Sequence, residues 1–548
     1  MFRIRKAAAV AVLASVALIA AACGDDSDSS DSNDTAAATT GAAGATTSAS
    51  DAAKTTAAPA FDPNGVLKVG DGLAAATGIE FDPIGANAYT SWAYSRAIYG
   101  SLLNRRPDGT YEPELATAWK VVDTQTVELD LRQGVTFQDG TPFNAEAVKF
   151  NLMRAKDVAA KSFSFSAEAK YLQDVTALGD NKVSLKFSEP VTGWLFSAGR
   201  PFFSSPETLM PSPAAIKAGT LASKPVGAGA FVFDHYTRDA ELVLKKSPTY
   251  WNAANVKLAG IQFVKVAQGA AQVNGMRAGD IDIVNLPSNM LEQIKGASNV
   301  TVESKVTGNQ FWALYLCKNI APFNDVKVRQ ALALAIDRTA LNNVIFKGNI
   351  EPATGVLPKQ HRFYDKTLEG YNTYNVDRAK QLLAQAGVSN LTFTTMYGTT
   401  SVPGADLGEV IRVQLERAGI TMKLQPVTNV VAQFFGVPGA ANAVLTPGND
   451  YGITDLTPGG IGNACQYNDP DLNALVAKIK AAAPESQTQK DLVNQYQKYI
   501  LDQGLITWLI WDTEVFAYNT NRVGGVDYLL GLFPGPRQIY YDRLFIKK

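Results

Sequence analysis

Residues Glu112–Val148 read EPELATAWKVVDTQTVELDLRQGVTFQDGTPFNAEAV. Within this stretch Thr126–Leu131 (TVELDL) alternates apolar and polar side chains, the period of a strand with one buried face. Gln133–Gly140 turns the chain and carries it into a further short strand. Asp139-Gly140-Thr141-Pro142 is turn chemistry: Gly reaches unusual φ values and Pro fixes the step that follows. Asn144 stands where an N-cap belongs, and the spacing predicts a helix from Ala145 into the 150s. Strand, turn and capped helix in one short stretch indicate a mixed α/β chain.

The same vocabulary extends in both directions. Val66–Val69, Val183–Phe187 and Leu242–Lys246 are predicted strands. Ser91–Leu103 is helical by period, with Trp92, Ile98, Tyr99 and Leu102 on its apolar face. Val326–Leu341 reads as one helix opened by Asn324 or Asp325, with Val328, Ala331, Leu332 and Ala335 on one face. Asp325 and Arg329, four apart, read as helix-dipole compensation plus an ion pair. Asp377–Ala386 and Asp406–Ala418 are helices closed by Gly387 and Gly419, the second leading into a strand at Thr421–Leu424. Asp471–Ala483 and Gln487–Gln503 are the last predicted helices. No repeat with a period of about 20–50 residues recurs, so a solenoid or propeller is not expected.

Composition narrows the function. The chain has 548 residues with 50 Lys+Arg against 51 Asp+Glu. That balance lacks the basic excess that neutralises phosphates, so no nucleic-acid partner is expected. His235 and His361 are the only histidines and Cys23, Cys317 and Cys465 the only cysteines, too few for a zinc ribbon, an iron–sulfur cluster or a His-based metal site. No cofactor and no metal are expected.

Residues 1–22 have the layout of a secretory signal: Arg3, Arg5 and Lys6, an apolar run Ala7–Ala22, then Cys23-Gly24. Ala7–Ala22 falls short of the roughly 20 residues of a membrane span. Small residues followed directly by Cys resemble a bacterial lipobox, with Ala20 where the pattern usually has Leu. That resemblance makes Cys23 the acylated first residue of the mature protein, held at the outer face of the cell membrane. Removing the three cations takes the formal net charge from −1 to −4. Residues 23–60, rich in Ser, Thr, Asp, Gly and Ala and without aromatics before Phe61, are expected to form a disordered tether.

Several motifs together carry a family resemblance. Glu112-Pro113-Glu114-Leu115-Ala116 with Trp119, Leu131-Arg132-Gln133-Gly134-Val135-Thr136-Phe137, and Asp139–Val148 come first. Pro225-Val226-Gly227-Ala228-Gly229-Ala230-Phe231, Ser247-Pro248-Thr249-Tyr250-Trp251 and Gly279-Asp280-Ile281-Asp282 follow. Pro322-Phe323-Asn324-Asp325, Val328-Arg329-Gln330-Ala331, Ala335-Ile336-Asp337-Arg338 and Ala379-Lys380-Gln381-Leu382-Leu383 complete the series. This order resembles the family 5 extracellular solute-binding proteins, the dipeptide, oligopeptide and nickel-binding group of ABC importers, from about Phe61 to Lys548. The physical reading of the motifs themselves is structural: turns, caps and packing.

The resemblance implies a bilobal α/β fold of the periplasmic-binding-protein type II class, with a subdomain inserted in the first lobe. By carry-over, lobe one takes 61–105, 193–315 and 523–548, the inserted subdomain 106–192, and lobe two 316–522. The crossings would lie near Trp312–Cys317 and Tyr518–Val523. It further implies a monomer that closes on a small solute, most readily a peptide, and hands it to an ABC importer permease. Asp450-Tyr451, in Leu445–Thr457 (LTPGNDYGITDLT), resembles the step whose aspartate pairs with a peptide's α-ammonium, although Pro447 stands where the relatives have Trp. Gln310 and Trp312 fall in a stretch that faces the ligand in relatives, and Trp312 either stacks on ligand or belongs to core. Tyr89 and Tyr397 are further ligand-binding candidates. Sugar, opine-like and metal-chelate solutes remain alternatives within the same fold.

No enzyme signature is present: no G-x-S-x-G elbow, no H-E-x-x-H and no phosphate-binding G-x-x-x-x-G-K-[ST]. Abundant Asp and Glu leave a carboxylate-pair hydrolase as the remaining enzymatic alternative. Cys317 and Cys465 both depart from the residues usual at their motif positions, and an extracytoplasmic location permits a disulfide between them; two buried free thiols are the alternative. The lipobox reading has a direct check. Cells given a clickable palmitate analogue should label this protein, and Cys23→Ala should abolish the label.

Overall fold

The computed structural model describes residues 60–548 except 74–77, 86–90, 107–109, 160–168, 196–201, 400–402, 450–455, 459, 461 and 529–538. Residues 1–59, with Cys23 and most of the tether, lie outside this set.

An eleven-stranded sheet organises the chain. Its longer strands are numbered here in chain order: β1 (Val66–Asp71), β2 (Phe231–Thr237), β3 (Glu241–Lys246), β4 (Gly260–Lys265), β5 (Ile283–Leu286), β6 (Val300–Leu316), β7 (Leu391–Gly398), β8 (Ile420–Val427), β9 (Ala443–Asn449) and β10 (Ile506–Asn519). Their order across the sheet is β8-β7-β9-β6-β10-β5-β1-β4-β3-β2, with the two-residue strand Glu351–Pro352 also paired to β10. β6 has 17 residues, about 55 Å of extended chain, enough to belong to two bodies at once.

The register shows how the two long strands do this. Val300–Val306 pair with Asn519–Thr513, and after a shift Phe311–Tyr315 pair with Trp511–Ile506. The first stretch continues into β5 through Val515–Tyr518, the second into β9 through Gln310–Leu316. The sheet therefore passes from one half to the other at 307–310 and 511–513. Both positions precede the expected crossings at Trp312–Cys317 and Tyr518–Val523. β10 is apolar on both faces to either side of this point, and only Asp512-Thr513-Glu514 break the run there.

Alternation on β6 feeds two separate cores. Phe311, Ala313, Tyr315 and Cys317 pack with the helices Pro470–Ala481 and Gln487–Gln503. Trp312, Leu314 and Leu316 pack with Val326–Leu334, Arg338–Phe346 and Gly404–Glu416. A second, antiparallel sheet orders Ala116–Asp123, Thr126–Leu131, Lys182–Phe187 and Leu172–Ala177, with the helix Ala145–Ala159 in the same core. Asn144 caps that helix, its side chain accepting from the Ala147 N–H at 3.0 Å.

Motifs named in the sequence join these bodies by satisfying buried polar groups. Gln138 donates to the carbonyls of Ile98 and Phe231 and accepts from the Gly227 N–H. Glu114 accepts from the Tyr250 hydroxyl at 2.9 Å and the Trp251 indole at 3.1 Å. Burial, reinforced by the charge of Asp542, pushes its carboxyl up to about 7. The Arg132 guanidinium lies 3.4 Å from the Trp251 ring centroid.

Three local expectations change. The helix expected over Ser91–Leu103 is Trp92–Tyr99, ended by Gly100 at φ 71°. The single helix expected over Val326–Leu341 is two, Val326–Leu334 and Arg338–Phe346, capped by Asp325 and Asp337. Gln414 holds the break, accepting from the Asp337 N–H and donating to its carbonyl. Arg338, 3% exposed, donates to the carbonyls of Trp508, Ala333, Ile336 and Asn372. The Asp325–Arg329 ion pair gives way to backbone bonds: Arg329 donates to the carbonyls of Gln503 and Phe323, while Asp325 accepts from Lys327 N–H.

Cys317 and Cys465 form a disulfide, their Cα atoms 5.1 Å apart. It fastens the end of β6 to the turn at Asn463–Tyr467, where Asn319 also donates to the Cys465 carbonyl at 2.8 Å. Thiol titration of the denatured, unreduced chain lacking residues 1–23 should find no free thiol; two would overturn the bridge. Cys465→Ala is expected to cost up to about 5 kcal/mol in denaturant unfolding, the chain-entropy value for so long a loop.

Candidate functional site: the cleft between the half-sheets

Strand direction locates the cleft. β9 runs antiparallel to β6, from Ala443 opposite Leu316 to Asn449 opposite Gln310, and so ends at the passage between the halves. β7 lies parallel to β9 and β8 parallel to β7, which puts Gly398 and Val427 toward the same side. In the other half β5 is antiparallel to β10, with Leu286 opposite Val515 nearest the passage. β1 and β4 run with β5 and end at Asp71 and Lys265. The carboxyl ends of the parallel strands in both halves thus face one line. In open α/β sheets this edge binds ligands, because helices start there and their N–H groups point outward.

The neighbouring side chains fit that placement. The Tyr94 hydroxyl, in the first turn of its helix, donates to Asp71 at the end of β1. In the other half the helix Gly404–Glu416 begins against the indole of Trp312, where a Cβ at Gly404 would stand 3.3 Å away.

Three consecutive polar residues, Asp512-Thr513-Glu514, interrupt the apolar run of β10 at the same line. Asp512 accepts from the Ser288 hydroxyl at 2.5 Å and the Thr513 N–H at 2.8 Å. The Trp312 side chain donates to it as well. Ser288 follows β5 and Trp312 belongs to β6, so one carboxyl gathers groups from both sides of the passage. Burial pushes the Asp512 carboxyl up, and its three donors draw it part of the way back. Burial also pushes Glu514 up, to about 8, with the charge of Asp512 as second cause.

Of the residues expected to bind ligand, Tyr89, Asp450 and Tyr451 lie outside the described set, as does the Gln310 side chain. The Gln310 backbone pairs with Asn449 at the passage. Tyr397 is half-buried near the carboxyl end of β7, against the core that holds Trp312. Trp312, read as either ligand contact or core, is 2% exposed and packs in the second half's core, its indole donating to Asp512. Sequence reading missed Ser288, Asp512 and Glu514. The available signal was the pair of acids inside ITWLIWDTEVFAYN, where a buried strand has no reason to carry charge. Among the described residues no group of three or more His, Cys, Asp or Glu is placed to hold a metal ion.

A core role for Trp312 has a measurable cost. Trp312→Ala should lower unfolding stability by about 3–5 kcal/mol. Trp312→Phe should lose roughly 1–2 kcal/mol by leaving Asp512 short of a donor. A ligand-stacking role would instead leave stability in the absence of solute unchanged.

Comparison with known proteins agrees with this architecture. The family model for bacterial extracellular solute-binding proteins, family 5 (middle), matches residues 110–471. The glutathione-binding protein GsiB of Escherichia coli K12 is 30% identical over 326 residues, 58% of this chain and 61% of that protein. The chain therefore matches less than two thirds of the length of these curated relatives. Among solved structures, AgaA of A. tumefaciens R10 in complex with agropinic acid superposes with a TM-score of 0.76 at 23% identity, covering 88% of this chain and 99% of that one. DppA of Helicobacter pylori in complex with the peptide STSA gives 0.74 at 21% identity, covering 89% and 99%. With its two half-sheets, long shared strands and additional antiparallel subdomain, the chain belongs to the family 5 bacterial extracellular solute-binding proteins and has their bilobal α/β, type II periplasmic-binding-protein fold.

Proposed function

We propose that this protein is a lipid-anchored, extracytoplasmic receptor that captures a peptide between its lobes and delivers it to an ABC importer permease. The observation that carries the reading is the convergence of both sets of parallel strand ends on a passage spanned by two strands. Such a passage bends as a hinge, and closing it buries a solute among polar groups whose interactions strengthen as water leaves. Peptide is favoured over other solutes because glutathione names one relative and the peptide STSA occupies another. The structure of AgaA with agropinic acid makes an opine the second reading.

In this reading Asp450 takes the solute's α-ammonium and Cys23 carries the lipid. Native mass spectrometry of protein purified without refolding should recover a bound peptide; an intact opine would establish the second reading instead. In calorimetry, Asp450→Ala should weaken a free-amine peptide by about 2–5 kcal/mol, the range for losing one partner of a buried charge pair. The N-acetylated peptide should bind the parent protein as weakly as the variant binds the free amine. Equal affinity of parent and variant for every amine-bearing peptide would reject the role of Asp450.

A further inference from the structure

Four carboxyl residues among those described are less than a tenth exposed: Glu114, Asp282, Asp469 and Glu514. Three have named donors. Glu114 takes Tyr250 and Trp251, Asp282 takes the Lys68 N–H and Arg522, and Asp469 takes the Leu472 N–H and the Tyr499 hydroxyl. Glu514 is the exception. It is 3% exposed, and its Oε1 has no hydrogen-bond partner. A buried carboxyl oxygen without a donor costs stability, and in native proteins such an atom is accounted for by strain, by function or by something bound to it.

Its position says what that something is. Glu514 lies on β10 just past the passage between the halves, at the line where the carboxyl ends of the parallel strands converge. Strand alternation puts it on the same face as Asp512, two residues earlier, so two carboxyl groups share one face of the strand beside the passage. Asp512 has its three donors and needs no more, but all of them are neutral: a hydroxyl, a backbone amide and an indole. Lys305, across the ladder from Glu514, is exposed and forms no ion pair with it. Two acids therefore meet at the floor with no described cation in ion-pair reach. The charge of Asp512 and burial together work against ionisation of Glu514, a penalty that a cation at Oε1 would remove.

We infer that Glu514 is a ligand-binding residue of the cleft floor, and that it selects solutes carrying a second cationic group, an ammonium or guanidinium, beyond the one assigned to Asp450. The inference rests on the receptor reading above and deepens it by naming the solute class. An ordered water on Oε1 is the competing account.

The test uses the folded mature chain and a fixed set of probes: trialanine, the three alanine tripeptides carrying lysine at the first, second or third position, and 1,5-diaminopentane. Calorimetry on the parent protein should show at least one lysine peptide binding tenfold or more tighter than trialanine. Glu514→Gln, which keeps the shape and removes the acid, should erase that preference, bringing the lysine peptides to the affinity of trialanine. Equal affinities across the tripeptides, or a lysine preference that survives Glu514→Gln, would overturn the inference while leaving the peptide reading intact. Binding of diaminopentane that depends on Glu514, with no tripeptide bound, would support the inference and reject the peptide reading. Binding of neither would overturn both. The comparison of lysine peptides with trialanine on the parent protein needs no variant, so a misfolded Glu514→Gln would not protect the proposal.

Discussion

The antiparallel pairing of β6 with β10 is the constraint from which the rest of the structure follows. The two strands are long enough to serve both halves, and each half builds its remaining strands outward from opposite ends of the pair. Because side chains alternate with period two, the register also decides which core each residue enters: a slip of one would exchange Trp312 with Phe311. The shift between Val306 and Phe311 interrupts the ladder where the halves meet. The pairing that unites the halves is thus also where their shared ladder is interrupted.

Inside each body the polar groups are committed to structure. Arg338 and Gln414 hold a helix break closed by hydrogen bonds to backbone, and Gln138 and Glu114 fasten the inserted sheet to the first half through side chains that reach across. Asp282 receives both the Lys68 N–H and Arg522, tying β1 to the chain beyond β10. These groups are expensive to bury, and the hydrogen bonds named here offset that cost. Among the buried carboxyls of the described residues, Glu514 is the one with an oxygen left without a donor.

The contrast between Asp512 and Glu514 shows how one strand supports both rigidity and recognition. Asp512 draws Ser288 from one side and Trp312 from the other, so its carboxyl is spent on holding the passage together. Glu514, two residues on, stands at the same edge with an acceptor to spare. Preorganised acceptors on a rigid strand lose little entropy when a solute arrives, which favours affinity over placement on a loop.

The sequence by itself determined the class of the protein. Turn residues such as Asp139-Gly140-Thr141-Pro142, the caps Asn144 and Asp325, and the apolar periods of the longer helices act over a few residues, and all appear in the structure where their chemistry placed them. The motif order that signals the family is likewise local. What the tertiary structure alone decided depends on partners distant in the chain. The break at Asp337 is set by Gln414, some 77 residues away, while the apolar spacing runs on without interruption. The passage between the halves is set by which strand lies beside β10, and the acids that break its apolar run do not say which neighbour is exchanged there. Trp312 reads equally well as aromatic contact or core until Asp512 and the start of the helix at Gly404 close around it. Acids in a buried strand announce themselves in the sequence, but whether each is satisfied is a property of the packed interior, because its donors come from elsewhere in the chain.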